Sequence, residues 1–240
     1  MSEIIIVNDV SKSYDQPVLQ NIDLIIETGV IHGFIGPSGS GKTTLMRMIA
    51  GLESPSSGSI YIKDLRVPDL SLLPHIGYMA QSDALYMDLS GYENLKFFSQ
   101  LFKMKKGSAE NRINDVAALV NLTADLKKKV KNYSGGMKRR LSLAIALLHQ
   151  PDILILDEPT VGIDPELRAT IWSEMHQMKE NGQTILMTTH VMDEAARCDY
   201  ISLVKDGTII ASGTPQALLK KYHAQTFDEV FIRAGRGGQS

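Results

Sequence analysis

The chain has 240 residues, of which 43% are hydrophobic and 22% are charged, and its formal net charge is -2. This composition is typical of a globular protein and excludes disordered, fibrous and collagen-like classes. The near-neutral charge gives no overall indication of a nucleic acid or an acidic substrate as partner. The single cysteine, Cys198, excludes a disulfide framework and a cysteine-based zinc site, and it is compatible with a reducing compartment.

Length and hydropathy allow one large α/β unit or two small ones. The longest unbroken apolar run covers residues 143–148, whereas a membrane-spanning helix needs about 20 such residues. The N-terminus, Met1-Ser2-Glu3, is not a basic segment followed by a long apolar stretch, as a secretory signal would be. We therefore expect a soluble, cytosolic chain.

The first third of the chain alternates short β-branched runs with turns, which predicts strands over residues 4–7, 24–26, 30–35 and 58–62. From residue 88 to residue 150 the apolar positions recur at spacings of three and four instead, as in Ile113, Val116 and Val120. This spacing is typical of helices. We expect a mostly helical insertion there.

After Pro151 the pattern predicts further strands, over residues 153–156, 184–188, 201–204 and 208–211. The first of these is apolar at every position, which suits a parallel strand covered on both faces. Between the first two lies a helix with Asp164 as N-cap and Pro165 at its first position. Its apolar stripe is expected to be core. The glycine-rich residues 235–238 are expected to form a frayed tail.

A glycine-rich segment follows the strand at 30–35 directly, fits the pattern G-x-x-x-x-G-K-S/T and precedes a helix-forming stretch. Its backbone N–H groups can curl around an oxyanion, and the positive end of the helix beginning near Lys42 adds to the attraction. Lys42 supplies a charge for the β- and γ-phosphates, and the Thr43 hydroxyl suits Mg²⁺. The segment predicts nucleotide binding by Gly36, Pro37, Ser38, Gly39, Ser40, Gly41, Lys42, Thr43 and Thr44.

Two carboxylates, Asp157 and Glu158, end the apolar strand at 153–156. Ionised groups at the edge of a core are costly unless they are compensated. Because open α/β sheets bind ligands at the carboxyl ends of their strands, Asp157 is suited to hold Mg²⁺ directly or through water. Glu158 is then available to orient or deprotonate the attacking water, so we predict that it is the general base.

The strand at 184–188 ends in Thr188-Thr189-His190, which brings a histidine to the same sheet edge as the two acids. A donor to the γ-phosphate would be useful there, so a functional His190 is favoured over a structural one. Gln81 lies where the β pattern gives way to the helical block. By itself it would be an ordinary surface amide.

With these residues assembled, the chain resembles the ATP-binding subunit of an ATP-binding cassette (ABC) transporter over nearly its whole length. The decisive segment is Tyr133-Ser134-Gly135-Gly136-Met137, which is similar to the family signature L-S-G-G-Q and lies between the phosphate loop and the acid strand. Tyr133 stands for the usual Leu, and Met137 for the usual Gln. A thioether cannot donate the hydrogen bonds of an amide, so no role of that Gln is carried to Met137.

The resemblance implies further roles. Gln81 matches the family's Q-loop, which senses Mg²⁺ and the attacking water and couples to the membrane partner. The segment 162–164 matches the D-loop, and His190 matches the switch histidine. Tyr14 lies where the family places an aromatic ring against adenine, with an ordinary strand tyrosine as the alternative. Ser134, Gly135 and Gly136 would contact the phosphates of ATP.

The fold implied is a P-loop NTPase core with a mostly parallel sheet, an N-terminal antiparallel β-subdomain and an inserted helical subdomain. One ATP-binding domain would cover residues 1–225, with the helical subdomain at about 82–150, and residues 226–240 would form a short C-terminal tail. ATP and Mg²⁺ are the implied cofactors. The family also implies a sandwich dimer, in which ATP on one subunit's phosphate loop is covered by the signature of a second ATP-binding subunit. We expect this second subunit to be identical to the first.

The segments 134–140, 160–165 and 227–231 look like those of bacterial export ATPases of the drug-resistance and ABC-2 type, which pair with a separate membrane permease. The resemblance thus implies a cytoplasmic subunit, peripheral on the inner face of the cell membrane, with no nucleic acid as partner. Two alternatives stay open. An importer ATPase shares every catalytic motif, and a soluble cassette ATPase would act on ribosomes or nucleic acid.

Overall fold

Two β-sheets and a set of flanking helices make up the computed structural model, which describes residues 2–81 and 84–237. The described strands are β1 (Glu3–Ser13), β2 (Pro17–Glu27), β3 (Ile31–Ile35), β4 (Ser57–Ile62), β5 (Leu65–Arg66), β6 (Ile76–Met79), β7 (Ile153–Asp157), β8 (Thr184–Thr189), β9 (Tyr200–Lys205) and β10 (Thr208–Gly213). The described α-helices are α1 (Lys42–Ile49), α2 (Gly91–Leu101), α3 (Lys106–Leu119), α4 (Gly135–Leu147), α5 (Pro165–Glu180), α6 (Pro215–Lys221) and α7 (Phe227–Gly237).

The topology separates an antiparallel sheet from a mostly parallel one. The first sheet has the order β2-β1-β4-β5 with antiparallel pairs. The second has the order β10-β9-β3-β8-β7-β6, in which β10 alone pairs antiparallel among the described strands. Together with the helical block α2 to α4, this arrangement confirms the fold class expected from the sequence.

Strand β7 explains why the parallel sheet is covered on both faces. Ile153 and Ile155 pack in the core between the two sheets and α1, whereas Leu154 and Leu156 pack in the core on the helical side. All four side chains are fully buried. Successive side chains of a strand point to opposite faces, so a strand apolar at every position fits only a doubly covered sheet.

The strands predicted from the N-terminal third exist, but two of them are much longer than the sequence suggested. β1 and β2 each run for 11 residues, because polar residues such as Asn8 and Lys12 continue the pairing beyond the β-branched runs. Register shifts interrupt β1, and Asp9 adopts a φ of +46° at one of them. Such bulges hide a strand from a pattern of strict alternation.

The helix predicted after Asp164 is confirmed as α5, which begins at Pro165 and ends at Glu180. The Asp164 side chain accepts a hydrogen bond from the N–H of Leu167, as an N-cap should. The predicted apolar stripe is core, since its four residues are buried: Leu167, Ile171, Met175 and Met178.

The helical block also forms as expected, although residues 82 and 83 at its start lie outside the described residues. Helix α4 packs against β6 so closely that a Cβ on Gly77 would lie 2.3 Å from the carbonyl oxygen of Ala146. Side chains on α4 can therefore reach the carboxyl ends of β6 and β7. Within the part of the chain that the structure describes, no helix is long and apolar enough to cross a membrane.

The expectation of a frayed tail is wrong for residues 235–237, which belong to α7. Phe227, Val230 and Ala234 are buried and anchor this helix in the core. Their spacing of three and four gives α7 an apolar face, which outweighs the low helix propensity of Gly235. Residue 238, the last of the predicted tail motif, lies outside the described residues.

Candidate functional site

The predicted phosphate loop connects β3 to α1 and lies at the carboxyl edge of the parallel sheet. Gly41 occupies the N-cap position of α1 with a φ of +101°, which is left-handed backbone. Because glycine has no side chain, nothing from the N-cap residue competes for the N–H groups of the first helical turn. The loop therefore presents the amino end of α1 as an anion site.

Two glycines of this loop are required by close packing. A Cβ on Gly36 would lie 2.0 Å from the carbonyl oxygen of Val204 in β9, and one on Gly41 would lie 2.9 Å from that of Val18 in β2. Neither approach is sterically possible for a larger residue without backbone movement. The loop is thus held between the two sheets in one conformation.

The Lys42 side chain crosses this loop and is nearly buried, with 6% of its surface exposed. Its ammonium group donates hydrogen bonds of 2.8 Å to the carbonyl oxygens of both Gly36 and Pro37, and it lies 3.4 Å from Ser40 Oγ. Burial lowers the pKa of Lys42, while the negative charges of Glu158 and Asp157 act in the opposite direction. The cation therefore faces the two acids across the loop.

Asp157 ends β7 with a carboxylate that is 1% exposed. The Thr188 hydroxyl donates a hydrogen bond to its Oδ1, whereas among the described residues no group hydrogen-bonds its Oδ2. Burial, with a smaller contribution from this carboxylate, raises the pKa of the neighbouring Tyr78 to about 12. A buried acid oxygen without a partner is costly unless a cation binds there.

Glu158 is held in a left-handed conformation, with φ at +54°. Such backbone is uncommon for residues other than glycine and must be maintained by its neighbours. The Glu158 N–H donates to Thr188 Oγ1 at 2.9 Å, and its carboxylate lies 2.8 Å from His190 Nδ1. The structure thus brings together the acid and the histidine that the sequence placed at one sheet edge.

One cleft of about 270 Å³ joins the loop to the other predicted groups. Gln81 and Glu158 line it together with Lys42, Thr43 and Thr44. This cleft therefore unites residues from the ends of β3, β6 and β7, which the sequence could relate only through the expectation of a parallel sheet.

Sequence reasoning missed Arg139, a buried cation on the inner face of α4. Its guanidinium donates to the carbonyl oxygens of residues at the ends of two strands: Ala80 (2.8 Å), Gln81 (2.9 Å), Asp157 and Glu158 (2.6 Å). The only signal in the sequence was an arginine in the predicted helix after the Ser-Gly-Gly turn. Thr188 was noted as part of a polar cluster, but its bond to Asp157 emerges only in the fold.

The Ser-Gly-Gly segment forms the amino end of α4 and does not line the phosphate cleft. Ser134 is the N-cap of α4, and its hydroxyl accepts a hydrogen bond from the N–H of Met137 at 3.2 Å. Ser134 and Gly135 are exposed, and Gly136 is half-buried. In the described part of the chain, none of the three lines the cleft that holds Lys42.

Tyr14, the predicted adenine contact, follows the end of β1 with 56% of its surface exposed. Its hydroxyl donates a hydrogen bond to the Glu53 carboxylate, and the Lys12 ammonium lies 5.0 Å from the centre of its ring. The ring is thus anchored at its hydroxyl while a large part of its surface is open. Contact with a base stays a prediction.

The residues present fit a bound Mg²⁺ that is completed by phosphate. Among the described residues, no cluster of three or more His, Cys, Asp and Glu side chains could hold a metal unaided. The orphaned Oδ2 of Asp157 and the hydroxyl of Thr43 are hard oxygen donors. Mg²⁺ commonly takes one or two such protein ligands together with waters and substrate phosphates.

A phosphate loop on a parallel sheet, with a buried Asp and an adjacent Glu at the same edge, defines a P-loop nucleotide hydrolase. A family model described as ABC transporter matches residues 19–161. The chain belongs to this family and is an ABC-type ATPase cassette. The predicted family resemblance, the ATPase class and ATP binding are thereby confirmed.

Among curated relatives, the ABC transporter G family member 20 of Dictyostelium discoideum is 42% identical over 218 residues, which cover 90% of this chain and 30% of the relative. Nod factor export ATP-binding protein I of Neorhizobium galegae is 40% identical over a match that covers 86% of this chain and 60% of the relative. The protein of the same description from Cupriavidus metallidurans is 37% identical, and the match covers 91% of this chain and 74% of the relative. The chain thus spans less than two thirds of the first two relatives.

Solved structures agree with this assignment. A structure of the ATP binding subunit of an ABC transporter has a TM-score of 0.89 at 27% identity, covering 97% of this chain and 99% of the other. An ATP-binding cassette in a dimeric post-hydrolysis state with ADP and Pi has a TM-score of 0.82 at 27% identity, covering 88% and 98%.

Proposed function

We propose that this chain is the ATP-hydrolysing subunit of an exporter, and that it works as a sandwich dimer on a separate membrane permease. The observation that supports a dimer is that the two anion sites of one chain, at the amino ends of α1 and α4, are separate. The amino end of α1 lines a walled cleft, whereas the amino end of α4, at Ser134, is exposed and lies outside that cleft. One copy of each half-site cannot enclose a nucleotide within one chain.

In the proposed dimer, the triphosphate lies on the loop of one subunit and is covered by Ser134, Gly135 and Gly136 of the other. Two helix amino ends and Lys42 then share the negative charge of the phosphates. Hydrolysis removes this shared ligand and allows the subunits to separate. The output is mechanical closure and opening, as in other phosphate-driven switches.

We assign the chemistry to residues at the sheet edge. Glu158 accepts the proton of the attacking water, and His190, 2.8 Å from it, orients its carboxylate and can reach the γ-phosphate. Gln81 orients the water and, with Asp157 and Thr43, belongs to the Mg²⁺ site. Mg²⁺, when bound, neutralises developing phosphate charge. Lys42 holds the β- and γ-phosphates, and Tyr14 stacks on adenine.

A second cleft supports a permease as partner. It has a volume of about 830 Å³ and lies between the catalytic core and the helical block. Its lining includes Gln81 and Thr43, and so it borders the phosphate site, and it also includes apolar residues such as Leu85 and Phe98. An apolar partner segment seated there would contact Gln81 directly. We assign the chain to the cytoplasmic face of the cell membrane because it belongs to the ABC transporter family and resembles an export ATP-binding protein.

Export is favoured over import by the relatives, since two of them are described as Nod factor export ATP-binding proteins. The direction itself belongs to the permease. We also keep the division into one ATP-binding domain over residues 1–225 as a proposal, with α7 as a packed appendage. The alternative class is a soluble cassette ATPase that acts on ribosomes, and a pull-down distinguishes it from a transport subunit.

Sedimentation of a Glu158→Gln variant tests the dimer. The amide cannot accept the proton of water, so bound ATP should persist and a dimer should form with ATP and Mg²⁺ but not with ADP. Glu158→Gln combined with Lys42→Ala is the matched control and should stay monomeric. A Glu158→Gln protein that stays monomeric with saturating ATP at high protein concentration would contradict the proposal. Pull-down of a membrane protein supports transport, whereas sedimentation with ribosomes supports the alternative class.

A further inference from the structure

We infer that Arg139 is a positioning residue for hydrolysis, which sets Gln81 and Glu158 relative to each other and ties both to the Ser134 turn. The inference rests on the proposed roles of Gln81 and Glu158. It starts from the position of Arg139 on α4, about one helical turn beyond Ser134, with only 9% of its surface exposed.

The guanidinium of Arg139 joins the ends of two strands. Nη1 donates to the carbonyl oxygens of Ala80 and Gln81, at 2.8 and 2.9 Å. Nη2 donates to the carbonyl oxygens of Asp157 and Glu158, the latter at 2.6 Å. Because β6 and β7 pair in parallel, these four carbonyls lie at one edge of the sheet. Only the planar, forked donors of arginine can serve both pairs together.

Glu158 needs such an anchor because its backbone is left-handed. Three contacts from different elements hold it: its N–H on Thr188 Oγ1, its carboxylate on His190, and its carbonyl on Arg139. The first two hold the amide N–H and the side chain of Glu158, and neither holds its carbonyl group. Arg139 constrains the carbonyl, and through it the direction in which the carboxylate leaves the backbone.

The same guanidinium also constrains the backbone of Gln81, which lines the same cleft as the phosphate loop. A rigid link between the backbones of Gln81 and Glu158 sets the spacing of the two side chains proposed to act on one water. Since Arg139 and Ser134 share one helix, a ligand that moves the Ser134 turn also moves this link. Misplacement of about 1 Å can lower a rate on the order of 100-fold.

Arg139→Lys is the test variant, because an ammonium group keeps the charge but cannot span four carbonyls. We expect kcat for ATP to fall about 10- to 100-fold while KM changes less than about threefold. The matched control is Arg140→Lys on the next position of α4. Arg140 turns away and donates to the carbonyl oxygens of Val120 and Asn121 at the end of α3. Its kcat should stay within about twofold of the unmodified protein.

A double-mutant cycle distinguishes positioning from plain stability. The loss of kcat in the double variant Arg139→Lys with Gln81→Ala should be clearly smaller than the combined losses of the two single variants. Each substitution by itself already removes the correctly placed Gln81 side chain. Assays run well below each melting temperature keep the folded fraction equal. An unchanged kcat, an additive cycle, or a loss in kcat that matches the loss of folded protein would overturn the inference.

If Arg139→Lys does not fold, Arg139→Gln retains two amide donors and is measured in the same way. Failure of both variants to fold would also overturn the inference, because Arg139 would then hold the fold itself. Glu158→Gln is run alongside. If it keeps full turnover, the proposed chemistry fails, whereas loss of turnover in Glu158→Gln with normal kcat in Arg139→Lys removes only the role of Arg139.

Discussion

The chain carries two Ser/Gly turns at helix amino ends, and they differ in how much of the site each provides. The turn before α1 is walled by both sheets, has a glycine N-cap and encloses a buried lysine. The turn that begins α4 is exposed at Ser134 and Gly135, and the N-cap Ser134 already accepts a hydrogen bond from one N–H of the helix. The first is a preformed anion site, and the second becomes one only against another surface.

The largest expected effect is on the walled turn. Lys42→Ala removes the buried cation and should lower ATP affinity on the order of 100-fold, because charge-assisted bonds to phosphate are lost. Titration with a fluorescent ATP analogue measures this. Lys220→Ala, on the exposed last turn of α6, is the control and should bind normally. If the ATP affinity of Lys42→Ala stays within threefold of the unmodified chain, the turn before α1 is not a preformed anion site. The contrast between the two turns would then be wrong.

Ser134→Arg tests the open turn. The larger side chain should leave ATP affinity within about threefold, because Ser134 lies outside the cleft, but it should lower hydrolysis by at least about tenfold by obstructing closure. Ser134→Thr keeps the N-cap oxygen and serves as the control. Full turnover in Ser134→Arg would mean that one subunit completes its own site.

Tyr14 gives a smaller effect at the margin of the walled site. Tyr14→Ala should weaken ATP binding about fivefold, corresponding to about 1 kcal/mol of aromatic contact. Tyr14→Phe loses the hydrogen bond to Glu53 but keeps the ring, so it should bind nearly normally. Equal binding by all three proteins in the same titration would show that the exposed ring does not contact the base.

The smallest effect lies at the opposite end of β7, in a surface cluster that touches neither turn. The hydrogen bond from Lys63, assisted by His75, holds the pKa of Asp152 below its ordinary value of 3.8. An acid whose pKa is lowered by folding contributes stability that is fully present above its unfolded-state pKa. This contribution is lost as pH falls through the folded-state pKa. Asp152→Asn should therefore lower the unfolding free energy at pH 7 by less than about 1 kcal/mol.

Denaturant titrations at pH 7 and at pH 3 measure that difference, which should shrink at the lower pH. ATP affinity should be unchanged in Asp152→Asn. A difference that grows as the pH falls below 3.8 would mean that the sign of the Asp152 contribution is wrong. A loss of ATP binding would mean that the two ends of β7 are coupled.

Much of the catalytic edge could be predicted because its motifs are contiguous in the chain. The loop from Gly36 to Thr44 and the pair Asp157 and Glu158 each follow an apolar strand, and parallel strands bring their carboxyl ends to one edge. The extent of β1 and β2 could not be predicted, because bulges disrupt the alternation. The helix α7 was missed because Gly235 and its neighbours resemble a terminus, although Phe227, Val230 and Ala234 are spaced to pack.

The sequence by itself determined the class of the protein. Its phosphate loop and its acidic pair are short contiguous motifs, and their chemistry follows from their residue types and from the strand that precedes each of them. Only the tertiary structure decided how these motifs are joined. It placed Arg139 across the ends of β6 and β7 and kept Ser134 out of the cleft that Lys42 lines. It also left one oxygen of Asp157 without a hydrogen-bond partner among the residues that the structure describes. Local spacing specifies a motif, whereas contacts between residues far apart in the chain depend on how helices pack on the sheet.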